Sequence, residues 1–274
     1  MSKVKRGGVT ADADTTTGGG SAYPYPVEVI DLPSRGLLYS ESNPLSGGTV
    51  DIKYMTAREE DILTSKNLIN KGIVLDKLLE SIVVSDVSVD DLLVGDRNAI
   101  LLSSRIMAYG SDYASIITCP ECGESSEIEV DLSSLEDKDI DIPTGTNNEH
   151  TFKLPQSEKT ITFKILTHGD NKKIQNEIET WNKLQKNPDA PGADMSIRYK
   201  HMILAVDGNR DKNFIKTFVK DSFTMKDLRA FRKHVADVSP GVDMTFNYNC
   251  EACDYAERIS IPLGVDFFWP PSEL

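Results

Sequence analysis

No run of apolar residues approaches the ~18–20 that cross a bilayer, so no membrane span or anchor is expected. The first 22 residues lack the apolar stretch of a secretory signal, so a cytosolic protein is expected. Basic residues are in short supply: 30 Lys and Arg stand against 43 Asp and Glu, a formal net charge of −13. General nucleic-acid binding needs a basic face for phosphates, and docking on anionic lipid needs clustered cations. Neither class fits this balance. Cysteine occurs only four times, which excludes a disulfide scaffold. Phosphate-loop, GxGxxG, GxSxG and HExxH motifs are all absent. The four histidines, His150, His168, His201 and His234, show no metal-ligand or acid-partner spacing and read as structural or exposed. Asp90 and Asp91 sit at a helix start, where carboxylates suit the dipole. Arg229, Arg232 and Lys233 lie near a helix C-terminus, where cations suit it. No enzyme is expected.

What is present is a pair of CxxC elements, Cys119/Cys122 and Cys250/Cys253. A reducing cytosol disfavours disulfides, so the spacing points to metal or redox chemistry. A tight turn lets both thiolates reach one ion at ~2.3 Å, and a second turn completes a tetrahedron. Gly123 supplies a permissive backbone after the first pair. Alternating segments, Ser115–Thr118 with Ser126–Val130 and Met244–Tyr248 with Ala256–Ile261, flank the pairs as strands. Strand, knuckle, strand, occurring twice, is the plan of a four-cysteine zinc ribbon with one structural ion. The 127 residues between Cys122 and Cys250 far exceed the ~15–20 of a compact ribbon. A split ribbon must therefore carry an inserted subdomain. A thioredoxin-like site is disfavoured, because neither pair opens a helix in a βαβ pattern. An iron–sulfur cluster or four free thiols stay open.

Residues 1–22, rich in Gly, Thr, Ser and Lys, read as a disordered arm. Residues 23–112 read as a mostly helical N-terminal lobe after two strands, Val27–Ile30 and Thr49–Tyr54. Gly36 is the expected positive-φ residue of the intervening loop. Thr56 and Glu59 form a capping box, opening a helix that carries Ile62, Leu63, Leu68 and Ile69 until Gly72 breaks it. Val74–Val83 and 96–109 are further helices. Residues 113–131 and 243–264 are the ribbon halves. The insert, 132–242, begins with an acidic loop. It continues with a hairpin (Thr151–Leu154, Thr160–Leu166) and helices at Asp170–Lys186, Ile197–Ala205, Asn213–Val219 and from Thr224 through Val235. The expected class is α+β: a helical N-terminal lobe plus a split zinc ribbon carrying an inserted hairpin-and-helices subdomain. The tail, 265–274, holds Phe267, Phe268 and Trp269, which either fold back onto the core or anchor a partner.

Several segments taken jointly resemble the T4-type phage baseplate family, from about residue 27 to the end. They are Leu32-Pro-Ser-Arg-Gly-Leu-Leu-Tyr39, Lys53-Tyr-Met-Thr-Ala-Arg-Glu-Glu-Asp-Ile-Leu63, Asp76-Lys-Leu-Leu79, Asp91-Leu-Leu-Val-Gly-Asp-Arg-Asn-Ala99, the two CxxC pairs and Phe267-Phe-Trp-Pro270. The resemblance implies a baseplate hub or hub-assembly protein of a contractile tail. It implies docking on other tail proteins without catalysis, in the infected host's cytoplasm or in the virion. It also implies that members with both cysteine pairs are zinc-ribbon variants, with Cys119, Cys122, Cys250 and Cys253 as ligands. Two rivals stand beside it. A zinc-ribbon transcription regulator is disfavoured by seven acidic residues around the knuckles against Arg258 alone. A hub-associated cell-wall hydrolase needs a poised carboxylate in a cleft.

Overall fold

The computed structural model describes residues 26–142, 147–185 and 192–268. The expected N-terminal arm, Trp269 and most of the loop before Gly192 lie outside the described residues. β1 (Val27–Asp31) pairs antiparallel with β2 (Thr49–Lys53), so that Ile30 faces Val50. The loop between them turns at Arg35 and Gly36, with φ of 54° and 75°. Glycine is needed at position 36, because a Cβ there would lie 2.3 Å from the Ser46 carbonyl oxygen.

α1 (Ala57–Thr64) opens on the expected capping box. It does not continue to Gly72. Ser65 leaves helical geometry, ends α1 and begins α2 (Lys66–Asn70), which leaves Ile69 exposed. α3 (Val74–Ile82) buries Val74, Leu78, Leu79 and Ile82 along one stripe. α4 (Val94–Tyr109) starts earlier than expected and takes Gly95 into its first turn. A close crossing requires glycine there: a Cβ on Gly95 would fall 1.8 Å from the Pro240 carbonyl oxygen.

β3 (Asp112–Thr118) and β4 (Ser125–Asp131) form one cysteine hairpin. Between them and their counterpart, three strands form an antiparallel sheet: β5 (His150–Lys153), β6 (Thr160–Phe163) and β7 (Ile203–Val206). Around it lie α5 (His168–Leu184), α6 (Asp194–Met202), α7 (Lys212–Thr217) and α8 (Met225–Val238). The helix expected through Ala205 thus stops at Met202, and the next four residues are a strand. A four-residue apolar run has no periodicity to separate the two forms. Pairing with β6 decides it. β8 (Thr245–Asn249) and β9 (Ala256–Ser260) form the second cysteine hairpin.

Two main cores result. The first joins α1, α3 and α4 to β1, β2 and the roots of both cysteine hairpins, and includes Phe267 and Phe268. The second packs β5–β7 against α5, α6 and α8 around Phe163 and Phe231. Backbone bonds stitch them together: His168 N–H to Leu92 O at 2.7 Å, Lys138 N–H to Gly241 O at 2.9 Å and Asp243 N–H to Glu136 O at 2.8 Å. The last two link the stretch entering the second core to the stretch leaving it. A long excursion therefore returns beside its own start, as a divided ribbon requires. The protein is α+β, with small sheets and four clustered cysteines.

Candidate metal centre

Each cysteine pair sits in a six-residue connection closed by the same backbone bond. Cys119 N–H donates to Glu124 O at 2.8 Å, and Cys250 N–H donates to Tyr255 O at 2.9 Å. In the first, Gly123 takes φ +75° and its N–H reaches Cys119 O at 2.9 Å. The strand registers, Thr118 opposite Ser125 and Asn249 opposite Ala256, hold both turns at the hairpin tips. Ser126 Oγ and Tyr248 Oη, 3.0 Å apart, join the hairpins below the tips.

This brings all four sulfurs within 4.8 Å of one another. Cys119 Sγ lies 3.8 Å from Cys253 Sγ, and Cys122 Sγ lies 3.7 Å from Cys250 Sγ. Both short contacts cross between the halves. A tetrahedron of sulfurs bonded to one ion at ~2.3 Å has edges of about 3.8 Å, so the donor set fits a tetrahedral thiophilic metal. Cys119 is buried and Cys122 exposed, so the cluster sits at the surface with one buried wall. Hydrogen bonds from the Ala252 and Cys253 amides bring the Cys250 thiol down to about 6. At Cys253 the Tyr255 amide pulls down, but burial and the neighbouring sulfurs push the thiol up to about 12. Four thiolates this close repel one another unless a cation sits among them. Glu121, Glu124, Glu127, Glu129, Glu251, Asp254 and Glu257 are all exposed around the tips. Arg258 is engaged with Asp243 at 2.9 Å.

Elsewhere in the fold, buried charges join segments distant in sequence. Asp96, fully buried, accepts from Ser34 N–H at 2.9 Å, Ser34 Oγ at 2.7 Å and Tyr39 Oη at 2.6 Å. Glu59, also fully buried, pairs with Lys53 at 2.7 Å and accepts from Ser81 Oγ at 2.5 Å and Thr56 Oγ1 at 2.7 Å. Burial works to raise its pKa, but hydrogen bonds from Lys53, Ser81 and Thr56 together hold it at about 2. Arg105 reaches three carbonyls: Phe267 O at 3.1 Å, Gly110 O at 3.0 Å and Asp112 O at 3.4 Å. Asp227 clamps the β5–β6 turn through Gln156 N–H at 2.6 Å and Ser157 N–H at 3.1 Å. Of these four, Glu59 and Asp227 have a local signal, since each stands three residues after a capping threonine, Thr56 and Thr224. Asp96 and Arg105 have none, because a lone charge inside a helical pattern does not announce burial.

Phe267 and Phe268 are each 1% exposed and belong to the first core. They pack edge-to-face, with Tyr113 against Phe267 at 5.3 Å. Of the two alternatives, fold-back onto the core or anchoring a partner, both rings take the first, and neither is presented at the surface. Trp269 lies outside the described residues. Two histidines meet acids that their local spacing does not show. The fold gives His168 an acidic neighbour, Asp76 at 3.2 Å, and gives His201 one, Glu177 at 2.9 Å. Glu80 and Asp90 line one cleft of about 300 Å³. Each is already held by a lysine, Lys77 at 2.5 Å and Lys172 at 2.9 Å, as ordinary ion pairs are.

Neither a curated protein nor a solved structure matches the chain. A family model does, and its match covers Asp96 with Tyr39, the buried Arg105 and all four cysteines. Since the model of the T4 bacteriophage base plate proteins matches residues 38–269, the chain belongs to that family.

Proposed function

We propose that this baseplate-family chain is a structural or assembly component of the hub, acting by docking on other tail proteins and without catalysis. Cys119, Cys122, Cys250 and Cys253 hold one zinc ion in this reading. When bound, the ion ties the two hairpins together and leaves no open coordination position for a substrate. The observation that carries the reading is the pair of sulfur contacts across the two halves, 3.7 and 3.8 Å, which match the edges of a zinc–thiolate tetrahedron. Residues 113–131 and 243–264 then act as one ribbon and 132–242 as its insert, with 23–112 as a helical lobe. The acidic knuckles argue against phosphate contact and so against the transcription rival.

Metal analysis of the purified chain tests the site: one zinc per chain is expected, lost together with solubility in Cys122→Ser. A variant that folds normally and never held metal overturns it. Quantitative mass spectrometry of purified particles against infected-cell lysate tests the role. A fixed low ratio to the major tail proteins marks a built-in subunit. Abundance in lysate alone marks a transient assembly factor. Presence in neither the particle nor its assembly intermediates overturns the hub reading.

A further inference from the structure

Between the two cores lies a cavity of about 360 Å³ that takes no part in the cysteine site. The first turn of α4, α6, α8 and the 239–242 crossing wall it. Val94, Met195, Met202 and Val235 supply its apolar surface. Lys138, Arg198 and Arg232 also line it, and no carboxylate does among the described residues. Three cations without a lining acid are unusual in a chain of net charge −13. Arg198 makes one long contact, 3.5 Å to Asn171 Oδ1.

A second observation is independent of the charges. Tyr199 lines the same cavity, is 3% exposed, and its hydroxyl has no hydrogen-bond partner among the described residues. Buried hydroxyls in folded proteins are nearly always paired, so an unpaired one beside a cavity marks a missing polar group. Burial pushes the phenol up while Arg232 and Arg198 pull it down, so both charges are felt at its oxygen.

We propose that this cavity receives an acidic segment of a partner polypeptide: an apolar side chain against Val94, Met195, Met202 and Val235, with flanking carboxylates on Lys138, Arg198 and Arg232. A peptide polar group completes Tyr199. A free inorganic anion satisfies the cations but leaves the apolar walls uncovered. Methionines at positions 195 and 202 suit a peptide anchor, because their flexible thioethers adapt to the inserted shape. The cations both attract the segment and fix its register.

The test uses the full chain with anilinonaphthalene sulfonate, an apolar body bearing one anion, read by fluorescence. Saturable binding at one site per chain is expected. An acetylated peptide of alternating Asp and Leu should displace the dye. Its Lys-for-Asp analogue should not, and inorganic phosphate at the same concentration should have little effect. Arg198→Glu with Arg232→Glu should weaken the acidic peptide by at least about tenfold, with circular dichroism and metal content unchanged. Tyr199→Phe should weaken it less and leave the fold intact. Absent dye binding, displacement by phosphate as effective as by the peptide, or wild-type affinity in the double variant each overturns the proposal.

Discussion

Glu59 remains ionised where solvent does not reach its carboxylate, because Lys53, Ser81 and Thr56 surround it. Its folded value of about 2 lies below the ordinary glutamate value of 4.5. In that window the unfolded chain binds more protons, so stability rises with pH. The contribution is complete above about 4.5 and is lost as the pH falls toward about 2. Denaturant midpoints taken across this range should fall with acidification in the wild type. Glu59→Gln should be less stable at neutral pH and show a shallower fall. Gly95 makes a different single-residue case. A methyl group there meets backbone, not a flexible side-chain tip, so nothing nearby can swing aside. Gly95→Ala should cost about 1–3 kcal/mol by urea unfolding, whereas the same change at the open Gly72 should be governed by its φ of +66° alone.

At the scale of elements, helix starts with side-chain caps were the most legible part. The Thr56 and Thr224 caps stand where the residues put them, and so do the four strands beside the cysteines. Local spacing also brought Cys119, Cys122, Cys250 and Cys253 into view, because two matched turns betray themselves without any fold. What escaped depended on distant partners. β7 is a strand because β6 is free to receive it. Gly95 is required within α4 because Pro240 crosses there. Phe267 and Phe268 are core because Tyr113 and Arg105 await them. Arg105 ties three elements, the end of α4, the start of β3 and the short turn at Phe267. Arg105→Met keeps much of the volume but strands three carbonyls. Its expected cost is on the order of 3 kcal/mol, and limited proteolysis should then cut near the C-terminus first.

Across the whole molecule, an ion held by the four sulfurs, as proposed, clamps a loop of 127 residues. By loop-closure entropy, a cross-link of that span stabilises by at most about 4–5 kcal/mol. Chelation should therefore lower the unfolding midpoint clearly. Far-ultraviolet circular dichroism should be largely retained at low temperature, since each main core has its own buried cluster. Complete loss of helix on chelation would show instead that the cores cannot stand without the centre.

The crossing of the sulfur contacts also has a consequence in time. Cys119 and Cys122 leave the ribosome long before Cys250 and Cys253. At ~5–20 residues per second the delay is roughly 6–25 s. Until then the first knuckle offers only two thiolates, open to oxidation or to a passing ion. Synthesis that halts anywhere in the intervening stretch leaves a chain unable to build the cage at all. The centre thus reports that synthesis has passed Cys253: only a chain that long can present four sulfurs to one ion.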